Sequence, residues 1–215
     1  MLHYRKSERD AQQLQAELNA ARPESTALLQ ADLLDAAGLP EIVRNTVSRF
    51  GRLDALVNNA STFHATPLGT IKFEDWDSLI GTNLKAPLFL AQAAALQLRK
   101  SGGCIVNVTD IHADRPLKNY LVYSVAKAAL SGLTRALARE LAPEVRVNGV
   151  APGPVLWPED GSFDELTRQR VISHTLLRRV GEPEDIARAV HFLIAEAPYV
   201  TGQIIAVDGG RSINL

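Results

Sequence analysis

One stretch of the chain, residues 106–130 (VNVTDIHADRPLKNYLVYSVAKAAL), limits the possible folds more than any other. It predicts a buried strand over residues 105–108, then a polar loop, then a helix that carries Tyr123 and Lys127. A spacing of four places both side chains on one helix face, one turn apart. An ammonium beside a phenol favours the phenolate, which predicts a tyrosine pKa below its usual value of about 10. Such a phenol can exchange a proton near neutral pH.

Asp110 marks the point at which the predicted strand gives way to the loop. Open α/β sheets bind their ligands where strand ends face helix starts. We therefore expect the Asp110 carboxyl to lie within a few ångströms of the Tyr123 hydroxyl. By itself, a tyrosine and a lysine one turn apart also fit an exposed helix surface, and Asp110 also fits a loop or cap carboxylate, so neighbouring motifs must decide.

Apolar strands alternate with helical patterns along the whole chain, which is typical of a parallel sheet covered by helices on both faces. The prediction is a Rossmann-like, doubly wound α/β fold with three layers (α/β/α), in one domain over residues 1–215. The expected strands are 2–4, 27–30, 53–57, 104–108, 145–150 and 203–207. The expected helices are 8–21 with Ser7 as N-cap, 39–50 ending at Gly51, 73–100 with interruptions near Gly81 and Pro87, 120–141, 163–173 and 183–196.

Several motifs together resemble the short-chain dehydrogenase/reductase family, and they match it in order and spacing. They are Tyr123-x-x-x-Lys127 after a buried strand, Asn58-Asn59-Ala60 after an earlier strand, Asn83 in the next helix, and Pro152-Gly153 after a later strand. Most members of the family have a serine at the position of Asp110. The aspartate, together with Ser61-Thr62-Phe63 after Asn-Asn-Ala, resembles the pteridine reductase branch.

The resemblance implies roles for the catalytic residues. Tyr123 would donate a proton, Lys127 would hold the nicotinamide ribose, and Asn83 would order a water linked to the lysine. Asp110 and Tyr123 would protonate a ring nitrogen while NADPH reduces the adjacent carbon of dihydrobiopterin or dihydrofolate to the tetrahydro form. Phe63 would stack on the flat ring, so the implied substrate-binding residues are Phe63, Asp110 and Tyr123.

The cofactor prediction rests on Arg5 and Lys6, which follow the strand predicted over residues 2–4. NAD-specific relatives place an acidic residue there for the ribose 2′-hydroxyl, whereas two cations and the Ser7 hydroxyl suit the 2′-phosphate of NADPH. The other cofactor residues that the resemblance implies are Asp32, Leu33, Asn59, Ala60, Ser61, Tyr123, Lys127, Pro152 and Gly153. The residues alone leave a solvated basic pair equally open, and Asp32 equally fits a turn.

A glycine-rich turn is missing from the start of the chain, where the first glycine is Gly38. In related dinucleotide folds, such a turn follows the first strand and cradles the pyrophosphate at a helix N-terminus. We therefore expect a sheet without its first strand, in a chain that lacks roughly 30 residues of the native protein, the size of a βαβ unit.

Composition excludes other classes of function. A net charge of −1 gives no support for a nucleic-acid or membrane partner bound by bulk electrostatics. The start has no apolar signal segment, and no run approaches the ~18 apolar residues of a membrane span. The histidines lack metal-ligand spacing, so no metal is predicted. We expect a cytoplasmic protein and, by analogy with the family, a homotetramer. A reductase of carbonyl substrates and a non-catalytic remnant that serves as a binding module remain alternatives.

Overall fold

The computed structural model describes residues 1–157 and 163–214. Strands and helices alternate through these residues, which confirms the predicted Rossmann-like α/β fold. The strands are β1 (Leu2–Tyr4), β2 (Leu28–Gln30), β3 (Ala55–Asn58), β4 (Cys104–Val108), β5 (Arg146–Pro152) and β6 (Ile204–Val207). The helices are α1 (Glu8–Ala21), α2 (Leu39–Phe50), α3 (Phe73–Ile80), α4 (Ala86–Ser101), α5 (Leu121–Leu141), α6 (Glu165–Ser173) and α7 (Pro183–Ala195).

The helix predicted over residues 73–100 changes its geometry near Gly81, which confirms the first expected interruption, whereas the interruption expected near Pro87 is wrong. A π-helical turn, Gly81–Lys85, joins α3 directly to α4. Pro87 lies in the first turn of α4, where a proline needs no backbone N–H. The change at Gly81 is therefore a local widening of the helix, a feature that often marks functional sites.

The strands form two parallel sheets. β1 pairs with β2, and the other four strands run in the order β3-β4-β5-β6. Within the described ranges, no strand joins β1 to β3, which is the arrangement expected of a sheet without its first strand. The carboxyl ends of β1 and β3 nevertheless line one cavity, through Tyr4 and Ala60.

The main sheet is covered on both faces because side chains alternate along β4. Ile105 packs into a cluster with α2, α4 and α5, whereas Val106 packs on the other side with Val150 and with Leu193 of α7. All four residues named here are almost fully buried. Burying one such aliphatic side chain stabilises the fold by about 1.5–3 kcal/mol, so these two clusters hold the sheet between its helix layers.

A chain of buried polar side chains fixes the position of α5 on the sheet. Asn58 Nδ2 donates to Asn107 Oδ1 at 2.8 Å, and Asn107 Nδ2 donates to Thr134 Oγ1 at 2.9 Å. Thr134 in turn donates to the carbonyl of Leu130, 2.8 Å away. Since each group would be costly to bury without a partner, these hydrogen bonds fix the positions of β3, β4 and α5 relative to one another.

By length and composition alone, the 29-residue stretch Phe73–Ser101 would suffice to cross a membrane, contrary to the expectation from the sequence. Half of its most apolar window is buried inside the fold. Leu90, Ala94 and Leu98 are among the buried residues. The core helix of a globular domain passes the same test, so the stretch gives only weak support for a membrane span.

Candidate active site

Asp110 and Tyr123 are in direct contact at the carboxyl end of β4. Asp110 is the N-cap of the short 3₁₀ turn Ile111–Ala113, and its Oδ1 accepts a hydrogen bond from the backbone N–H of His112 at 2.8 Å. Its Oδ2 accepts from the Tyr123 hydroxyl at 2.6 Å. Asp110 is thus both a cap and a partner of the phenol, because the cap orients the carboxylate so that its second oxygen meets the hydroxyl.

The pKa of Tyr123 lies well above its ordinary value, so the expectation of a lowered pKa is wrong. Burial is the main cause, followed by the charge of Asp110 and by the hydrogen bond to it, while a hydrogen bond with Ser61 opposes them. The Lys127 ammonium lies 5.7 Å from the centre of the tyrosine ring and donates to the carbonyl of Val108 instead. The phenol therefore keeps its proton, the form that a proton donor requires.

Lys127 is a buried cation with spare hydrogen-bond donors. Its side chain is only 2% exposed, and burial lowers its pKa to about 8, against the raising effect of Asp110. One N–H donates to the Val108 carbonyl at 2.9 Å. Across the described part of the chain, no carboxylate lies within 4.0 Å of its nitrogen. Two ammonium donors thus have no partner among the described residues, although Lys127 lines neither of the two cavities described below.

Asn83 positions the loop that follows β3. Its Nδ2 donates to the carbonyls of Thr62 and Leu79, both at 2.9 Å, and its Oδ1 accepts from the Ser61 hydroxyl at 2.7 Å. Asn83 is buried and lies within the π-helical turn, which places its amide next to the loop. Both amide protons are used inside the protein, so a water of the kind that the resemblance implies would have only one oxygen lone pair to bind.

A cavity of about 580 Å³ opens beside Asp110 and Tyr123, and all three predicted substrate residues line it. The Phe63 ring stacks on Tyr120 at 4.4 Å between centroids and meets Tyr123 edge-to-face at 4.8 Å, so its orientation is held from two sides. Trp157 and Phe163 also line this cavity. Residues 158–162, between them, lie outside the described residues.

Several lining residues were missed by sequence reasoning, because no periodicity or motif places them near Asp110. They come from the loop after β4, from α6 and from the C-terminal turn Arg211–Ile213. They include His112, Leu117, Thr167, Arg170, Val171, His174, Arg211 and Asn214. Gly153, predicted to contact the cofactor, lines this cavity as well.

A second cavity, of about 360 Å³, brings most of the predicted cofactor residues together. These are Arg5, Lys6, Ser7, Asp32, Leu33, Ala60 and Ser61, and they are joined by His3, Tyr4, Thr62 and Thr82, which the sequence did not single out. Asn59 is exposed and is not among the lining residues, and neither is Pro152. No glycine lines this cavity in the described part of the chain, so a pyrophosphate cradle is not among its walls.

The two cations at the basic end of this cavity are not paired with carboxylates of the described residues. Arg5 and Lys6 are exposed, and neither has a carboxylate within 4.0 Å among residues 1–157 and 163–214. Ser7 begins α1 as predicted, but its hydroxyl makes no capping hydrogen bond, so the expected side-chain cap is wrong. Asp32 uses one oxygen to accept from the backbone N–H of Leu34 at 3.0 Å, which confirms its turn role and leaves the other oxygen for a ligand.

A protonated phenol, a buried ammonium and a basic cavity at the carboxyl edge of a parallel sheet together define a Rossmann-like oxidoreductase. A family model described as Enoyl-(Acyl carrier protein) reductase matches residues 1–212. The chain belongs to the short-chain dehydrogenase/reductase family, as the match and the relatives below show.

The relatives carry different substrate names. Pteridine reductase 1 of Leishmania tarentolae is 38% identical over 254 residues, covering 99% of this chain and 87% of that protein. The 3-oxoacyl-(acyl-carrier-protein) reductase FabG of Thermotoga maritima is 36% identical over 185 residues, with 85% and 75% covered. FabG of Staphylococcus aureus strain Mu50 is 35% identical over 212 residues, with 97% and 86% covered. Membership therefore shows the reaction class, an oxidoreductase of this family, and leaves the substrate to the geometry of the site.

Proposed function

We propose that this protein catalyses the NADPH-dependent reduction of a pterin or folate, from the dihydro to the tetrahydro form. The observation that carries the proposal is the 2.6 Å hydrogen bond from the Tyr123 hydroxyl to the Asp110 carboxylate. A carboxylate in this place accepts hydrogen bonds, so it suits a substrate that presents N–H donors, as a pterin ring does. The relative named pteridine reductase supports the same substrate class.

The residues of the two cavities fit the two ends of a dinucleotide. The free cations of Arg5 and Lys6, with the uncommitted Ser7 hydroxyl at the start of α1, suit a 2′-phosphate. The spare donors of Lys127 suit the hydroxyls of the nicotinamide ribose. When bound, NADPH supplies the hydride to a ring carbon of the substrate.

The proton comes from the chain itself. Tyr123 holds its proton because its pKa is raised, and it delivers that proton to the ring nitrogen next to the reduced carbon. Asp110 accepts an N–H of the ring and keeps the ring in register with the phenol. The buried ammonium of Lys127 stabilises the phenolate that is left after the transfer.

Phe63 provides an aromatic wall for a flat ring. Because Tyr120 covers one face of Phe63, the ring cannot rotate freely and presents a fixed surface to the cavity. Aromatic pairs of this kind contribute about 0.5–1.5 kcal/mol beyond area burial. A pterin would gain from this wall, whereas an aliphatic oxoacyl chain would gain only its burial.

Reduction of a carbonyl substrate is the second candidate, and two relatives named 3-oxoacyl-(acyl-carrier-protein) reductase support it. A carbonyl oxygen needs hydrogen-bond donors, however, whereas the Asp110 carboxylate beside the phenol can only accept hydrogen bonds. An ionised Asp110 beside the reacting oxygen would repel the negative charge that develops there. The carboxylate thus favours the nitrogen heterocycle over the ketone.

The test is NADPH oxidation with dihydrobiopterin, dihydrofolate, simple ketones and a 3-oxoacyl thioester, using the original chain and two variants. Asp110→Asn should lower pterin turnover by about 10–100-fold, because the charge-assisted hydrogen bond that aligns the ring with the phenol is lost, with a much smaller effect on the dissociation constant for NADPH. Asp114→Asn, an exposed carboxylate of the same loop, is the matched control and should behave like the original chain. Turnover of ketones but not of pterins would establish the second candidate instead. NADPH binding without any turnover would indicate a non-catalytic remnant.

A further inference from the structure

One part of the substrate cavity is positively charged, and the reaction proposed above does not use it. Arg170 of α6 and Arg211 of the C-terminal turn line the cavity and supply its positive charge, and the polar residues His174 and Asn214 lie beside them. In the described residues of the cavity wall, Asp110 is the only acidic side chain. The cationic wall therefore has no acidic counterpart there apart from the group that contacts the phenol.

The position of Arg211 is fixed by contacts between the C-terminal turn and α6. Arg211 Nη1 donates to the carbonyl of Val171 at 2.9 Å, and Asn214 Nδ2 donates to the carbonyl of His174 at 3.2 Å. Both carbonyls lie at the C-terminal end of α6, where they have no partner within the helix, and the Val171 carbonyl also accepts from the Thr175 hydroxyl at 2.9 Å. The guanidinium is thereby held half-buried at the cavity wall rather than free in solvent.

Most of the hydrogen-bonding capacity of Arg211 is unused. A guanidinium has five N–H donors, and a single acceptor, the Val171 carbonyl, is found for this one across residues 1–157 and 163–214. In the same residues no carboxylate lies within 4.0 Å of either Arg211 or Arg170. Burial of Arg211 is opposed only by the longer-range charge of Asp208, since no carboxylate of the described residues is in contact with it. An anion entering the cavity would therefore relieve part of the cost of burying the guanidinium.

We propose that Arg211, assisted by Arg170, binds a carboxylate on the tail of the substrate, so that the preferred substrate is a pterin with an anionic tail, of the folate type. A planar guanidinium matches a carboxylate with two parallel hydrogen bonds, which gives both affinity and orientation. The ring end of the substrate lies at Asp110 and Phe63, and the acidic tail lies at α6 and the C-terminal turn. A cavity of about 580 Å³ is within the range that encloses ligands of this size. The proposal rests on the proposed function for the identity of the ring.

The experiment compares dihydrofolate with its dimethyl ester, which has the same rings and tail but no charged carboxylate. For the original chain, kcat/KM should be at least about tenfold higher with dihydrofolate, because charge-assisted hydrogen bonds are lost in the ester. Arg211→Gln keeps an N–H for the Val171 carbonyl but removes the charge, and it should reduce this preference about tenfold. Arg211→Lys, which keeps the charge without the fork, should retain part of it.

Two further variants separate binding from folding. Arg170→Gln changes an exposed side chain and should reduce the preference without loss of stability, even if Arg211→Gln folds poorly. Arg139→Gln, an exposed arginine of α5 that lines neither cavity, should leave the preference unchanged. Equal kcat/KM for acid and ester in the original chain would overturn the anion site.

A binding measurement distinguishes failure of this proposal from failure of the proposed function. Titration calorimetry with folate and with folate dimethyl ester needs no turnover. If neither compound's dihydro form is reduced but folate binds more tightly than its ester, and Arg211→Gln removes the difference, the anion site stands and the reductase assignment falls. If both dihydro forms are reduced equally and Arg211→Gln does not change the ratio, the reductase stands and the anion site falls.

Discussion

The two sheets of this protein differ in how deeply they are buried, although the same sequence rules produce both. In the main sheet, β3 to β6, the strands β4 and β5 are buried almost throughout. The N-terminal pair consists of the strands β1 and β2 together with α1, which connects them. In it, no residue of the helix is buried and the strands are only partly buried. Two strands of three residues each are marginal as a folding unit, so the N-terminal pair depends on its few contacts with the rest.

The two regions also differ in their proposed roles, in parallel with the difference in burial. The groups proposed to move protons, on the loop after β4 and on α5, are held by the deep core and by the buried hydrogen bonds of Asn58, Asn107 and Thr134. The cations predicted to select the cofactor lie on the N-terminal pair. Regions with few buried contacts open at low free-energy cost, and a ligand that binds the closed form stabilises them. Proton-transfer geometry should therefore be robust, whereas cofactor affinity should depend on the order of the N-terminal pair.

The largest expected effect tests the contrast in burial. Leu98 of α4 is fully buried against the main sheet, whereas Leu14 of α1 is 44% exposed. Leu98→Ala should lower the free energy of unfolding by about 2–5 kcal/mol, because it leaves a cavity in the core. Leu14→Ala should lower it by less than about 1 kcal/mol. Denaturant titration measures both, and equal losses would show that the N-terminal pair is as tightly packed as the main sheet.

A second effect concerns Lys127 and the pH dependence of stability. Burial lowers its pKa from 10.5 to about 8, so between these values the unfolded chain binds a proton that the folded chain has released. Stability therefore rises with pH across this window, by at most about 3 kcal/mol from this residue. Lys127→Met should lack this rise, so the difference in the free energy of unfolding between the original chain and the variant should grow from pH 8 to pH 10.5. A difference that stays flat from pH 8 to pH 10.5 would mean that the ammonium is not desolvated.

The smallest effect should be confined to the N-terminal pair. Replacing Arg5 by Asp and Lys6 by Ala should raise the KM for NADPH by about tenfold or more and spare NADH, because the 2′-phosphate loses its counter-ions. Arg22→Asp makes the same arginine-to-aspartate change at the exposed other end of α1, and this control should change neither constant. Steady-state kinetics with both cofactors gives the ratio. An unchanged preference would remove Arg5 and Lys6 from cofactor selection.

Much of this architecture could be predicted because its signals are local. Most predicted elements lie within two residues of the observed ones, and the Asp110–Tyr123 contact follows from a strand end facing a helix start. The errors share a physical origin. The tyrosine pKa depends on burial and on a carboxylate that outweighs the nearby lysine, and the idle Ser7 hydroxyl depends on the path of the chain around it.

The sequence by itself determined the order of strands and helices, the single α/β domain and the residues that meet at the end of β4, since periodicity and strand direction act over short stretches. Only the tertiary structure decided which proton the site holds and which residues face the substrate from α6 and the C-terminal turn. Those outcomes depend on desolvation and on contacts between residues far apart in the chain, such as Arg211 with Val171. Local sequence patterns predict neither the desolvation of a group nor its contacts with distant residues.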